Sequence, residues 1–128
     1  MSARRWIGTR LAPMRIDDTL STTITVALGA ALGAVVRHLV ILGAAPGSTA
    51  ALALTFAVNT AGCFAMGLFK PGPLWGTGFL GGLTTYSAVS VAAMQSQAIE
   101  ALGIIALSYA TAIGAWFAGD ALRSRRNA

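Results

Sequence analysis

The chain has 128 residues, of which 55% are hydrophobic and only 10% charged, with a formal net charge of +5. Soluble domains carry about 25% charged residues, so this composition excludes an ordinary water-covered domain. One cysteine, Cys63, excludes an intrachain disulfide and a thiolate metal cluster, and reads as a small packing residue.

Residues 1–19 form a basic arm with Arg4, Arg5, Arg10 and Arg15, then Pro13, Asp17 and Asp18, expected on the cytoplasmic side or lying on the membrane surface. No nucleic-acid partner is expected from it. Residues 20–120 hold four apolar stretches, Leu20 to Gly43, Thr49 to Phe69, Leu74 to Gln97 and Ile99 to Ala118. Crossing about 30 Å of hydrocarbon takes about 20 helical residues, so each stretch predicts one transmembrane helix. The expectation is a single all-α domain of four membrane helices in a lipid bilayer, ending in a basic tail at 121–128. The first stretch is too long for a signal-peptide core and has no small-residue cleavage site set apart from it, so it is expected to be retained.

The first span carries Gly29 and Gly33, a G-x-x-x-G spacing that lets helix backbones approach closely in lipid. Pro46, Gly47 and Ser48 make the first turn, and Asn59 and Thr60 then sit inside the second span. Pro71-Gly72-Pro73 makes the second turn. The third span contains GFLGGLTTYSAVS, residues 78–90, in which Gly78 and Gly82 repeat the four-residue spacing. Two glycines at 81 and 82 each cost about 1 kcal/mol against alanine, and the β-branched Thr84 and Thr85 weaken the helix further. A break is expected there. It would free backbone carbonyls and expose a helix N-terminus near the bilayer centre, an arrangement transporters use to hold cations and attract anions. The last connection, near Gln97 to Ala101, is short.

With four spans, both termini and the second connection share one side. That side holds Arg4, Arg5, Arg10, Arg15, Lys70, Arg123, Arg125 and Arg126, leaving only Arg37 for the other. Excess Lys and Arg stay cytoplasmic, so both termini are expected inside, in the cell inner (plasma) membrane. A start at Met14 would still leave five against one. Asp17, Asp18, Glu100 and Asp120 all fall at or beyond span ends, which argues against a proton-coupled antiporter. The polar groups at depth are neutral: Asn59, Thr60, Thr84, Thr85, Tyr86, Ser87, Ser90, Ser108, Tyr109 and Thr111. Their hydrogens can donate to an anion without the trap of a full positive charge. Thr111 is expected to bond its own helix backbone. Asn59 is costly at mid-span unless it bonds a neighbouring helix or lines a wet cavity, and both readings stay open.

GFLGGLTTYS at 78–87, GAALGAVVRH at 29–38 and FAVNTAGCFAMG at 56–67 together resemble the Fluc (CrcB) fluoride channels. The resemblance implies an antiparallel dimer of four-helix subunits with two fluoride pores, the third helix broken near its middle, and a structural Na+ ion at the dimer interface. It implies that the carbonyls of Gly81 and Thr84 hold sodium and that Asn59 is a pore-lining amide. Tyr86 would take the first position of a phenylalanine pair whose ring edges, which carry positive quadrupole, face fluoride. Ser108 would match a serine of the polar track. The implied ion path is Asn59, Thr85, Tyr86, Ser87, Val89 and Ser108. The chain departs from the family at Val89 for the second phenylalanine, Ala88 for a threonine, Ala92 for a glutamate and Ile104 for a tyrosine. Homodimeric members insert in both orientations and carry almost no charge bias, whereas other members pair two subunits of opposite fixed orientation. The bias here implies a heterodimer half with inward termini, in a passive fluoride channel or as a non-conducting subunit that stabilises its partner; it is not expected to be an enzyme.

Labelling of engineered cysteines from either side of native membranes should place both termini inside in every copy. A mixed population would overturn the fixed orientation.

Overall fold

The computed structural model describes residues 16–126, so the arginines at 4, 5, 10 and 15 lie outside the described residues. In chain order the elements are α1 (Ile16–Ile41), α2 (Thr49–Phe69), a π-helical segment (Leu74–Leu80) running into a short α3 (Gly81–Leu83), α4 (Ser87–Met94) and α5 (Ala98–Arg126). No strand occurs among the described residues. Three of the helices, α1, α2 and α5, are long and apolar enough to cross a membrane. The apolar stretch expected as a third span is instead a chain of shorter pieces.

Local chemistry sets these boundaries. Ser48 caps α2: its hydroxyl accepts from the Ala51 N–H at 3.1 Å while Ser48 itself stays extended. Gly47, at φ 76°, makes the left-handed turn before it. At the other end Lys70 adopts φ 42°, a conformation that few side-chain-bearing residues take. Its side chain is tied down there, with Nζ 3.0 Å from Asp120 Oδ1 and 5.7 Å from the centre of the Trp116 ring. Arg123 also bonds Asp120, at 2.9 Å. Asp120 lies beyond the apolar stretch, and the hydrogen bonds from Arg123 and Lys70 hold its carboxyl below the usual carboxylate range. This ion cluster joins the C-terminal turn of α2 to the basic end of α5, which stays helical through Arg126.

Pro71 and Pro73 offer no N–H, and the helix that follows starts irregularly. The Gly76 N–H reaches back four residues to the Gly72 carbonyl at 2.7 Å, but the Gly78 N–H reaches five, to Pro73 at 2.8 Å. That five-residue spacing is the π geometry, found mostly as single turns and often at functional sites. Missing side chains at the buried Gly76 and Gly78 leave the backbone room for it.

Packing follows the small residues. A Cβ on Gly29 would collide with the Leu74 carbonyl and lie 2.9 Å from the Phe79 nitrogen. One on Gly33 would collide with the Phe79 carbonyl and lie 2.6 Å from the Leu83 nitrogen. Gly78 and Gly82 answer from the other side, against Val26, Gly29 and Ala30. The two G-x-x-x-G motifs therefore face each other inside one subunit. Gly67 and Gly119 do the same between α2 and α5. Backbones that touch in this way gain dispersion contact, which replaces the hydrophobic drive that lipid does not supply.

The break changes partners. The π segment and α3 pack mainly on α1 and α4 mainly on α5, while α2 touches all three. Val89 on α4 is fully buried, yet large apolar side chains along α1 and α5, such as Leu28, Leu39, Leu102 and Phe117, stay exposed. Thr111 does bond its own helix, to the Leu107 carbonyl at 2.8 Å.

Gly33→Ala should lower thermal stability in detergent by about 1–3 kcal/mol, because the added carbon has no space. Gly43→Ala, where nothing lies within 4 Å, should leave the melting temperature unchanged.

A candidate ion site at the break

After the π segment the four-residue spacing is recovered at Thr84, whose N–H bonds the Leu80 carbonyl at 3.0 Å. Thr84 then turns extended, with ψ 149°, and the helix resumes only at Ser87. The weak GGLTT sequence thus does break where its propensities are poorest.

Two residues of α2, one helical turn apart, face this break. Asn59 donates from Nδ2 to the Thr85 carbonyl at 2.7 Å and accepts the Thr85 N–H on Oδ1, also at 2.7 Å. Gly62 makes room beside it: a Cβ there would lie 2.5 Å from the Thr84 methyl group. The V-N-x-x-G pattern therefore has a physical meaning, a grip on Thr85 with a clearance for Thr84. From α1, Arg37 reaches in and donates to the Thr84 carbonyl at 3.3 Å. A charged side chain inside an apolar helix marks a functional position by default, a signal that the sequence itself carries at Arg37.

Hydroxyls cluster on the same short stretch. Thr85 Oγ1 and Ser87 Oγ are 2.8 Å apart, Thr84 Oγ1 bonds the Leu80 carbonyl at 3.0 Å, and Ser90 Oγ bonds the Tyr86 carbonyl at 3.1 Å. No side chain caps the start of α4, so its first amides and the positive end of its dipole are turned toward the break. A cleft of about 560 Å³ reaches Ser87 and is lined also by Ser48, Thr55, Gln95, Ser96 and Ile104.

The structure brings together Asn59, Gly81, Thr84, Thr85 and Ser87. Tyr86 is exposed and its ring lies 5.5 Å from that of Tyr109, tilted by 40°. Val89 and Ser108 are buried away from the surface of the described chain, Val89 completely. For a cation, no cluster of three His, Cys, Asp or Glu side chains exists among the described residues. What the break offers is neutral oxygen. The Gly81 carbonyl has lost the Thr85 N–H as its helical partner, because Asn59 takes that hydrogen. The Thr84 carbonyl already draws a positive group, and with two lone pairs it can serve Arg37 and a second donor or ion together. Carbonyl oxygens at an unwound turn suit a hard monovalent cation such as sodium.

The family described as CrcB-like protein, Camphor Resistance (CrcB), matches residues 24–120. A fluoride-specific ion channel FluC of Corynebacterium efficiens is 39% identical over 88 residues, covering 61% of this chain and 64% of that relative. FluC 1 of Corynebacterium glutamicum is 41% identical over 97 residues, covering 76% and 88%. FluC 2 of Rhodococcus jostii is 36% identical over 115 residues, covering 80% and 99%. No solved structure matches. The family match takes in both glycine motifs, the Asn59–Gly62 pair and the break itself, and the chain belongs to the CrcB family of fluoride-specific ion channels.

Proposed function

We propose that this chain is a subunit of a passive fluoride channel that lowers cytoplasmic fluoride, working in an antiparallel pair with a homologous subunit of opposite orientation. The observation that carries the reading is the braced break, where α4 begins uncapped beside a cleft that reaches Ser87. An anion stripped of water needs donors. The amides at the start of α4, the Ser87 hydroxyl and the free hydrogen of the Asn59 carboxamide are donors without net charge, so they replace hydration without trapping the ion. The path is assigned to Asn59, Thr85, Tyr86, Ser87, Val89 and Ser108, completed by residues of the partner. Tyr86 would offer its ring edge, exposed on the subunit surface.

The carbonyls of Gly81 and Thr84 would hold a sodium ion at the interface between subunits. Bound there, it would supply a fixed positive charge that joins two electronegative breaks. Exposure of Gly81 and of the long apolar side chains of α1 supports a partner on that side. Relatives named FluC 1 and FluC 2 support a pair of distinct chains, and the inward charge bias gives this one its orientation, with both termini cytoplasmic.

A second reading keeps the fold and drops the conduction: a structural subunit that orients a conducting partner. Complete burial of Val89, with no ring to present, favours it.

Fluoride efflux from liposomes, followed with an electrode, decides between them. The chain alone should be silent, and the chain with its neighbouring homologue should release fluoride rapidly. Fast efflux from the chain alone would overturn the need for a second subunit. In the conducting pair, Ser87→Ala in this chain should slow efflux by about tenfold or more, the cost of one hydrogen bond to a charged group. An unchanged rate would leave only the structural role.

A further inference from the structure

In an unbroken helix the Thr85 N–H would bond the Gly81 carbonyl, four residues back. The preceding rung, Thr84 to Leu80, is made at 3.0 Å, so the ladder fails first at Thr85. It fails there because Asn59 takes both backbone groups of Thr85, its N–H and its carbonyl, at 2.7 Å each. A carboxamide is the one uncharged side-chain group that can imitate a peptide on both sides at once, as a donor and an acceptor. With Thr85 held on α2, Thr84 stays extended and its carbonyl stays turned to Arg37.

We propose that Asn59 is a positioning residue for the cation site: by holding Thr85 out of the helix it keeps the Gly81 carbonyl released and the Thr84 carbonyl turned off the helix axis, toward Arg37. This rests on the reading that those two carbonyls hold sodium, and it gives Asn59 a task separate from lining the ion path. Without Asn59 the Thr85 N–H returns to Gly81, the helix closes by one rung, and one of the cation's ligands is lost.

The test compares thermal unfolding of the full chain, purified in the assembly it forms, in sodium chloride and in N-methylglucamine chloride. Asn59→Leu and Asn59→Ser both remove the paired bonds, the second without apolar bulk, so that a folded variant is available from one or the other. In the wild type sodium should raise the melting temperature. In the variants that increment should vanish, or need at least about tenfold more sodium, the usual scale for losing one buried polar partner. Adding Thr85→Pro to either variant should restore it, because proline has no N–H to return to Gly81. Thr84, at φ −80° and ψ 149°, already has the conformation favoured before proline.

Variants that melt lower in both salts but keep the sodium increment would overturn the positioning role and leave the cation reading intact. Loss of the increment without recovery in the double variant would also overturn it, since general loosening would then explain the loss. Absence of any sodium increment in the wild type would overturn the cation reading and this inference together.

Discussion

Backbone polar groups cannot be left unpaired in hydrocarbon, and this constraint decides what a break in a membrane helix has to look like. At Thr85 the chain satisfies it with one side chain. Asn59 supplies an acceptor and a donor to Thr85 at the point where the helix can no longer do so, and the rest of the architecture depends on keeping that side chain opposite that residue. α2 is positioned for it by Gly67 and Gly119, which bring α2 and α5 to backbone contact, and by the Lys70–Asp120 ion pair at its end. The other side of the break is positioned by the glycine faces of α1 and the π segment.

These contacts explain why so few side chains are buried. In a water-soluble domain the core would carry the stability; here Val89 is the one fully buried large side chain among the described residues. Glycine contacts do the equivalent work, since two helices in lipid gain nothing by hiding leucine from leucine. Large apolar side chains are consequently left to the outside of α1 and α5.

The broken segment also exchanges partners across its own middle. Its first half packs mainly on α1 and its second mainly on α5, with α2 along both, so Thr84, Thr85 and Tyr86 act as the hinge between two packing units. A cleft reaches Ser87, next to the hinge, and Arg37 reaches the hinge from α1. Backbone groups at the hinge turn to side chains of α1 and α2 instead of running along a helix axis. A continuous helix of the same composition would present only side chains.

Much of this was legible in the residues themselves. Apolar length located α2 at the same bounds, hydroxyl and glycine content located the break, and the four-residue glycine spacings marked the contact faces. These are local properties: hydrophobicity, helix propensity and the absence of a Cβ act wherever the residue stands. Four things needed the tertiary structure. They are the pairing of one glycine motif with the other inside a single subunit, the π turn that begins the third segment, the reach of Arg37 to the Thr84 carbonyl, and the choice of Thr85 as the partner of Asn59. Each depends on which helix lies beside which, and residue 59 meets residue 85 only after the chain has turned back at residues 70–73. A lone asparagine in an apolar run announces that it requires a partner; only the packing of α2 against the break says that the partner is backbone.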